Sequence, residues 1–181
     1  MFRRLFSRCR KRRGKSPALP RLRHTVDART QQNLSRLDLA VQPTMREATQ
    51  IAQHVAKTFN LDISVISGHR SYTEQAALYA QGRTAPGNIV TYAKAGSSNH
   101  NFATAIDFGI FANGKYLDAK EPGLTERVYR AIWNNIEAEG LRVDWGGDWK
   151  RLKDTPHFEY RTGLTLAEMR ERKEAGLPVV T

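Results

Sequence analysis

Ser98-Asn99-His100-Asn101-Phe102-Ala103-Thr104-Ala105-Ile106-Asp107-Phe108-Gly109-Ile110-Phe111 changes character halfway along. In its second half Ile106, Phe108 and Ile110 alternate with Ala105, Asp107 and Gly109. A period of two predicts a strand over 103–111, with one bulky apolar face and one small face carrying a single carboxylate. The first half ends just before that strand, so His100 and Asp107 are expected close together on the open side.

Working outward, helices and short strands alternate without βαβ regularity, which predicts an α+β chain with a small antiparallel sheet flanked by helices. Met45, Ala48, Ile51, Ala52, Val55 and Phe59 recur at helical spacing, and Thr44 with Glu47 reads as the capping box that starts this helix. Ile63 to Ile66 reads as a short strand. Ser71 and Glu74 form a second capping box, opening a helix that stops at Gly82. Residues 82–98 read as loop, with a brief edge strand over Ile89 to Tyr92. A helix over 124–139 follows from Val128, Ala131, Ile132 and Ile136, with Gly140 past its end. Trp145 to Trp149 reads as an aromatic turn and Pro156 to Tyr160 as a strand. Thr165 with Glu168 caps a last helix.

The chain has 181 residues, 40% hydrophobic and 26% charged, enough for one globular domain with a real core. The formal charge of +11 points to anionic partners until it is located. Residues 1–24 hold ten Lys or Arg and no acid, leaving nineteen basic against eighteen acidic residues elsewhere. Residues 1–33 are therefore expected to be a basic, disordered extension, and 34–181 the folded domain. Clustered cations of this kind attract phosphate or anionic lipid without sequence preference, so a nucleic-acid or membrane-surface binder is the non-enzymatic alternative. It leaves the polar groups of the body without a purpose. The single cysteine, Cys9, allows neither an internal disulfide nor a thiolate metal site. Phe2, Leu5 and Phe6 are too interrupted by Arg to form a secretory signal, so the protein is expected to be made in the cytoplasm and to leave by another route.

Three stretches carry groups that a hydrolytic metal site needs: Ser67-Gly68-His69-Arg70, the run from Ser98 to Asp107, and Asp154-Thr155-Pro156-His157. Catalytic zinc takes three imidazole or carboxylate ligands and leaves a position to water, a count that His100, Asp107 and His157 meet. Asp154, three residues before a ligand, suits a general base. Arg70, after a turn at a strand end, suits a fixed cation for charge developing on a carbonyl oxygen. Taken singly each has an ordinary reading: a satisfied histidine, an Asx turn for Asp107, a surface charge for Asp154, a salt bridge for Arg70. Their joint presence favours the site.

The run from Ser98 to Asp107 resembles the Ser-x-His-x-x-Gly-x-Ala-x-Asp signature of the family of zinc D-Ala-D-Ala carboxypeptidases and L-alanyl-D-glutamate endopeptidases, peptidase family M15. Asp154-x-x-His157 resembles its second motif, and Ser67-Gly68-His69-Arg70-Ser71 its substrate-facing arginine stretch; the likeness spans roughly Leu37 to Tyr160. Ala103 stands where the signature usually has Gly, and His69 where an aromatic is common. The resemblance implies a hedgehog/DD-peptidase-like fold, Zn2+ on His100, Asp107 and His157, Asp154 as base, and Arg70 on the substrate. Ser98, Gln75, His69, Asp148 and Trp145 are the expected substrate contacts. Residues 82–87 and 145–149 look like compact phage endolysins, which implies a monomeric enzyme that cuts the L-alanyl-D-glutamate bond of peptidoglycan and is released to the wall through a holin. Removal of terminal D-Ala by a D,D-carboxypeptidase is the alternative. The basic tail is expected to touch the anionic envelope or membrane surface, not a specific nucleic acid.

Overall fold

A computed structural model describes residues 27–117 and 121–180. At its centre runs β2 (Ala105–Ala112), which pairs antiparallel with β1 (Asp62–Ser67) on one side and β5 (His157–Tyr160) on the other. Beyond β5 lies β4 (Val143–Trp145), and the short β3 (Lys115–Tyr116) folds back on the last residues of β2, giving the order β1-β2-β5-β4. The alternation expected along β2 is realised. Ile106, Phe108 and Ile110 are fully buried beside Val65 and Phe158, while Asp107 keeps to the open face.

Two long helices cover the apolar face. In α2 (Gln42–Thr58) the buried residues include Met45, Ala48, Ile51, Ala52 and Val55, the stripe seen in the sequence. It starts two residues before Thr44, so the expected Thr44–Glu47 capping box does not form. Pro43 pre-sets the first turn, and Asp38 supplies acceptors to the backbone of Ala40, Val41 and Gln42. In α4 (Pro122–Ala138) Val128, Ile132 and Ile136 are buried, and Tyr129 donates from its hydroxyl to the Phe108 carbonyl at 2.9 Å. The helix α3 (Tyr72–Ala80) opens on the predicted Ser71–Glu74 capping box, and α5 (Leu166–Glu174) on Thr165–Glu168. No helix among the described residues is long and apolar enough to cross a membrane.

Two further expectations are corrected by the structure. The boundary placed after residue 33 cuts through a helix, α1 (Ala28–Ser35), with Thr30 and Leu34 buried. This helix closes the free edge of β1: Thr30 Oγ1 accepts from Val65 N at 2.8 Å, and Asn33 Nδ2 donates to Val65 O at 2.8 Å. Asp27 caps it, accepting from Thr30 N at 2.9 Å and from Ser64 Oγ at 2.9 Å. A helix held by polar contacts to a strand edge leaves no apolar periodicity to read. The basic residues 1–24 lie outside the described ones. The edge strand over 89–92 is also absent: Ile89, Val90 and Tyr92 are 47, 55 and 69% exposed. There the backbone is tied by side chains, as when Gln75 Nε2 donates to Ala93 O at 2.7 Å and Arg83 to Thr91 O at 3.1 Å.

Candidate metal centre

Strand register assembles the site. Ser67 on β1, Asp107 on β2 and His157 on β5 face one another directly, a row of three across adjacent strands. Ser67 reaches that row because β1 bulges between Val65 and Ser67. In an unbulged strand the period of two would turn Ser67 to the core face with Val65. The bulged Ile66 lies over Gly109, where any Cβ would come within 2.6 Å of its Cγ2. His100 arrives from a 3-10 turn over Asn99–Phe102, which ends with Ala103 in the left-handed region at φ 58°. That backbone explains why glycine suits this position, and why alanine here carries strain of about 1 kcal/mol.

His100 Nε2, His157 Nδ1 and Asp107 Oδ1 form a triangle with all three sides 3.2 Å. The outer nitrogens decide where the ring protons go. His100 Nδ1 lies 2.8 Å from the Gly68 carbonyl oxygen and His157 Nε2 lies 3.0 Å from Glu159 Oε2. Both partners only accept, so both outer nitrogens donate, and the two inner nitrogens present lone pairs to a carboxylate oxygen. Three lone pairs converging at this distance require a cation between them. Ligands about 2.0–2.1 Å from a tetrahedral zinc lie about 3.3 Å apart, so the triangle fits one face of such a site. A proton competes with such an ion for the inner nitrogens. Burial alone would raise the Asp107 carboxyl, but His100 and His157 hold it well below the usual carboxylate range. Burial alone would lower the His157 imidazole, yet the Asp107 and Glu159 carboxylates push it up to about 10.

Around this triangle stand two further groups. The Asp154 carboxyl is raised above its ordinary value by burial and by the charge of Asp107. Its backbone is pinned, with Asp154 N donating to Gly146 O at 3.0 Å and His157 N to Asp154 O at 3.2 Å. Arg70 Nη2 lies 3.9 Å from Asp107 Oδ2 and donates to Ser67 Oγ at 3.0 Å, while Nη1 donates to Gln75 Oε1 at 2.9 Å. A groove of about 490 Å³ runs past Arg70, walled by Asn33, Ser67, His69, Glu74 and Leu78. The turn bearing His100 is braced from behind by α5, where Lys173 Nζ donates to Asn101 O at 2.7 Å and Arg170 to Gly96 O at 2.9 Å.

A relative in Bacillus subtilis (strain 168), the peptidoglycan L-alanyl-D-glutamate endopeptidase CwlK, is 39% identical over 121 residues, which are 65% of this chain and 71% of that protein. The family model described as D-alanyl-D-alanine carboxypeptidase, peptidase M15, matches residues 91–160, which contain His100, Asp107, Asp154 and His157. The chain belongs to the M15 peptidases. Among solved structures of this family's fold, the Serratia marcescens L-Ala D-Glu endopeptidase ChiX is 24% identical with a TM-score of 0.52, covering 74% of this chain and 86% of that one. The vancomycin resistance D,D-pentapeptidase VanY, solved with Zn(II), is 16% identical with a TM-score of 0.42, covering 79% and 81%.

In this M15 peptidase the residues expected to bind metal do converge. The expected substrate contacts divide. His69 walls the groove beside Arg70. Ser98 is half-buried at the start of the His100 turn, its carbonyl accepting from Asn101 N at 2.9 Å. Gln75 is fully buried and so does not reach substrate; it holds Arg70 instead. Trp145 is 2% exposed, donates to Thr155 O at 2.7 Å and packs against Phe158, so it is core and not a groove wall. Asp148 pairs with Arg130 at 2.6 Å on the surface. The aromatic at the site is Trp149, whose ring centroid is 5.0 Å from that of His157.

Sequence reasoning missed Asn101, fully buried, whose side chain donates to Arg70 O at 2.9 Å and accepts from Gly96 N at 2.9 Å. It also missed Glu159, although residues 157 and 159 of one strand share a face and the spacing alone carried that signal.

Proposed function

We propose that this chain is a zinc peptidase that hydrolyses peptidoglycan stem peptides at the L-alanyl-D-glutamate bond. The observation that carries the reading is the 3.2 Å triangle of lone pairs on His100, Asp107 and His157. The 39% identity to an L-alanyl-D-glutamate endopeptidase supports the choice of bond.

His100 Nε2, Asp107 Oδ1 and His157 Nδ1 would hold the zinc ion, which would supply an acidified water and a Lewis acid for the scissile carbonyl. Asp154 accepts the proton of the attacking water and returns it to the leaving amine, a role served by a carboxyl raised toward neutral pH. Arg70, locked by Gln75 and Ser67, offers fixed positive charge to the carbonyl oxygen as it becomes anionic. The groove beside Arg70 receives the stem peptide.

A second reading, release of terminal D-Ala, is favoured by the description of the matching family. Digestion of purified peptidoglycan, with and without a chelator and followed by mass analysis, separates the two. New amino-terminal D-Glu that disappears with chelator supports the endopeptidase; free D-Ala from an undissolved wall refutes it. The endolysin role, action on the wall after release through a holin, and a monomeric state belong to the same proposal. So does attraction of residues 1–24 to anionic envelope polymers. Unchanged envelope binding after deletion of those residues refutes the last.

A further inference from the structure

His157 differs from His100 in what holds its outer nitrogen. His100 donates to a neutral carbonyl, that of Gly68, at 2.8 Å, whereas His157 donates to the Glu159 carboxylate at 3.0 Å. The same oxygen, Glu159 Oε2, also accepts from Asn99 Nδ2. Asn99 precedes His100 and Glu159 stands two residues after His157, so this one oxygen joins the turn that delivers one imidazole to the strand that delivers the other. Glu159 is itself fixed by register, opposite Ala105 on β2 and Asp144 on β4, and its side chain is only 18% exposed.

The charges are informative. Asp107 alone leaves a divalent cation half-neutralised. Glu159 adds the second negative charge one imidazole away, where it strengthens the donor without occupying a coordination position. Asp154 is then free of the metal's charge balance, with Arg70 nearby.

We propose that Glu159 is a positioning residue for the metal: it fixes His157 with Nδ1 turned inward, raises its donor strength, and is itself held by Asn99. The inference rests on the zinc reading above. It assigns a task to a residue outside the ligand set, the base and the substrate-facing arginine, and it makes the Asn99–Glu159 contact the tie between the two halves of the site.

The test is Zn2+ affinity, measured by competition with a chromophoric chelator, together with the visible spectrum of the cobalt(II)-substituted protein. Glu159→Gln keeps an oxygen acceptor and loses the charge; Glu159→Leu loses both. Expected is a graded weakening, roughly 10-fold for Glu159→Gln and approaching 100-fold for Glu159→Leu, with altered cobalt band intensities. Asn99→Ala should weaken binding less than Glu159→Leu. Thermal unfolding of the zinc-free proteins controls for loss of fold, and Glu159→Gln, nearly isosteric, keeps the test open if the leucine variant fails to fold. Wild-type affinity and spectrum in a folded Glu159→Gln and Glu159→Leu overturn the inference while leaving the zinc site intact. Wild-type protein that binds no zinc overturns the reading of the site itself.

Discussion

Replacing Gly146 with alanine adds one methyl group against the segment that carries Asp154 and His157. An ideal Cβ there would stand 2.5 Å from the Asp154 carbonyl oxygen, 3.2 Å from Asp154 Cβ and 3.1 Å from His157 Cβ. The nearest of these is backbone, so it cannot swing aside. Restoring an ordinary contact of 3.4 Å takes about 0.9 Å of movement in the segment that carries both Asp154 and His157. Misplacement by about 1 Å costs on the order of 100-fold in rate, about 2.7 kcal/mol of barrier. Overpacking adds roughly 1–3 kcal/mol of lost stability. The variant is therefore expected to fold, with a lowered Tm, and to turn over a soluble stem peptide about 100 times more slowly at saturating zinc. Turnover, metal content and thermal unfolding on the same preparation test this. Wild-type kcat in folded Gly146→Ala would show that the 146–157 segment does not set the geometry of the reaction.

Asp154→Asn should retain zinc and lose about 10²–10⁴-fold in kcat, and wild-type turnover would remove Asp154 from the mechanism. Because burial and Asp107 raise this carboxyl, and the base works deprotonated, kcat/KM should fall toward acid with a midpoint above the ordinary Asp value; an Asp154→Asn profile with the same acid limb would assign that limb to another group. Ala103→Gly should stabilise the fold by about 1 kcal/mol by relieving the left-handed strain at φ 58°, read as a higher denaturant midpoint, and an unchanged or lower midpoint refutes it. Asp27→Ala should cost about 1 kcal/mol through loss of the α1 cap. Although burial opposes it, hydrogen bonds from Thr30 and Ser64 lower the Asp27 carboxyl, so this contribution is full above about pH 4 and fades as pH falls through the depressed value. A mutational cost that grows toward acid would contradict it.

The central strand was legible because one face had to be packed and the other left open, and the alternation of Ile106, Phe108 and Ile110 with Asp107 stated that directly. The candidate ligands were legible only jointly: each of His100, Asp107 and His157 has an ordinary reading alone, and it was their common occurrence with Asp154 and Arg70, in stretches that resemble a family signature, that marked them. What escaped were contacts that leave no periodic trace. The helix over 28–35 is held by Thr30 and Asn33 on the edge of β1, and Gln75 and Asn101 act through hydrogen bonds to groups 18 and 31 residues away. The Trp145 and Trp149 pair could not be sorted by type: which of them is buried depends on the turn between them, where Trp145 points inward and Trp149 is 38% exposed. The bulge that turns Ser67 toward Asp107 was equally invisible, because it is a property of two strands and not of either alone.

The two cations of the last helix that grip the backbone at Gly96 and Asn101 set a mechanical limit on how this protein can be dissected. A fragment cut after Tyr160 would keep His100, Asp107, His157, Asp154 and Arg70, yet release the loop that presents one imidazole. Cargo or anchors attached beyond that helix would pull on the same loop. Force applied beyond α5 would thus be transmitted to the turn that carries His100.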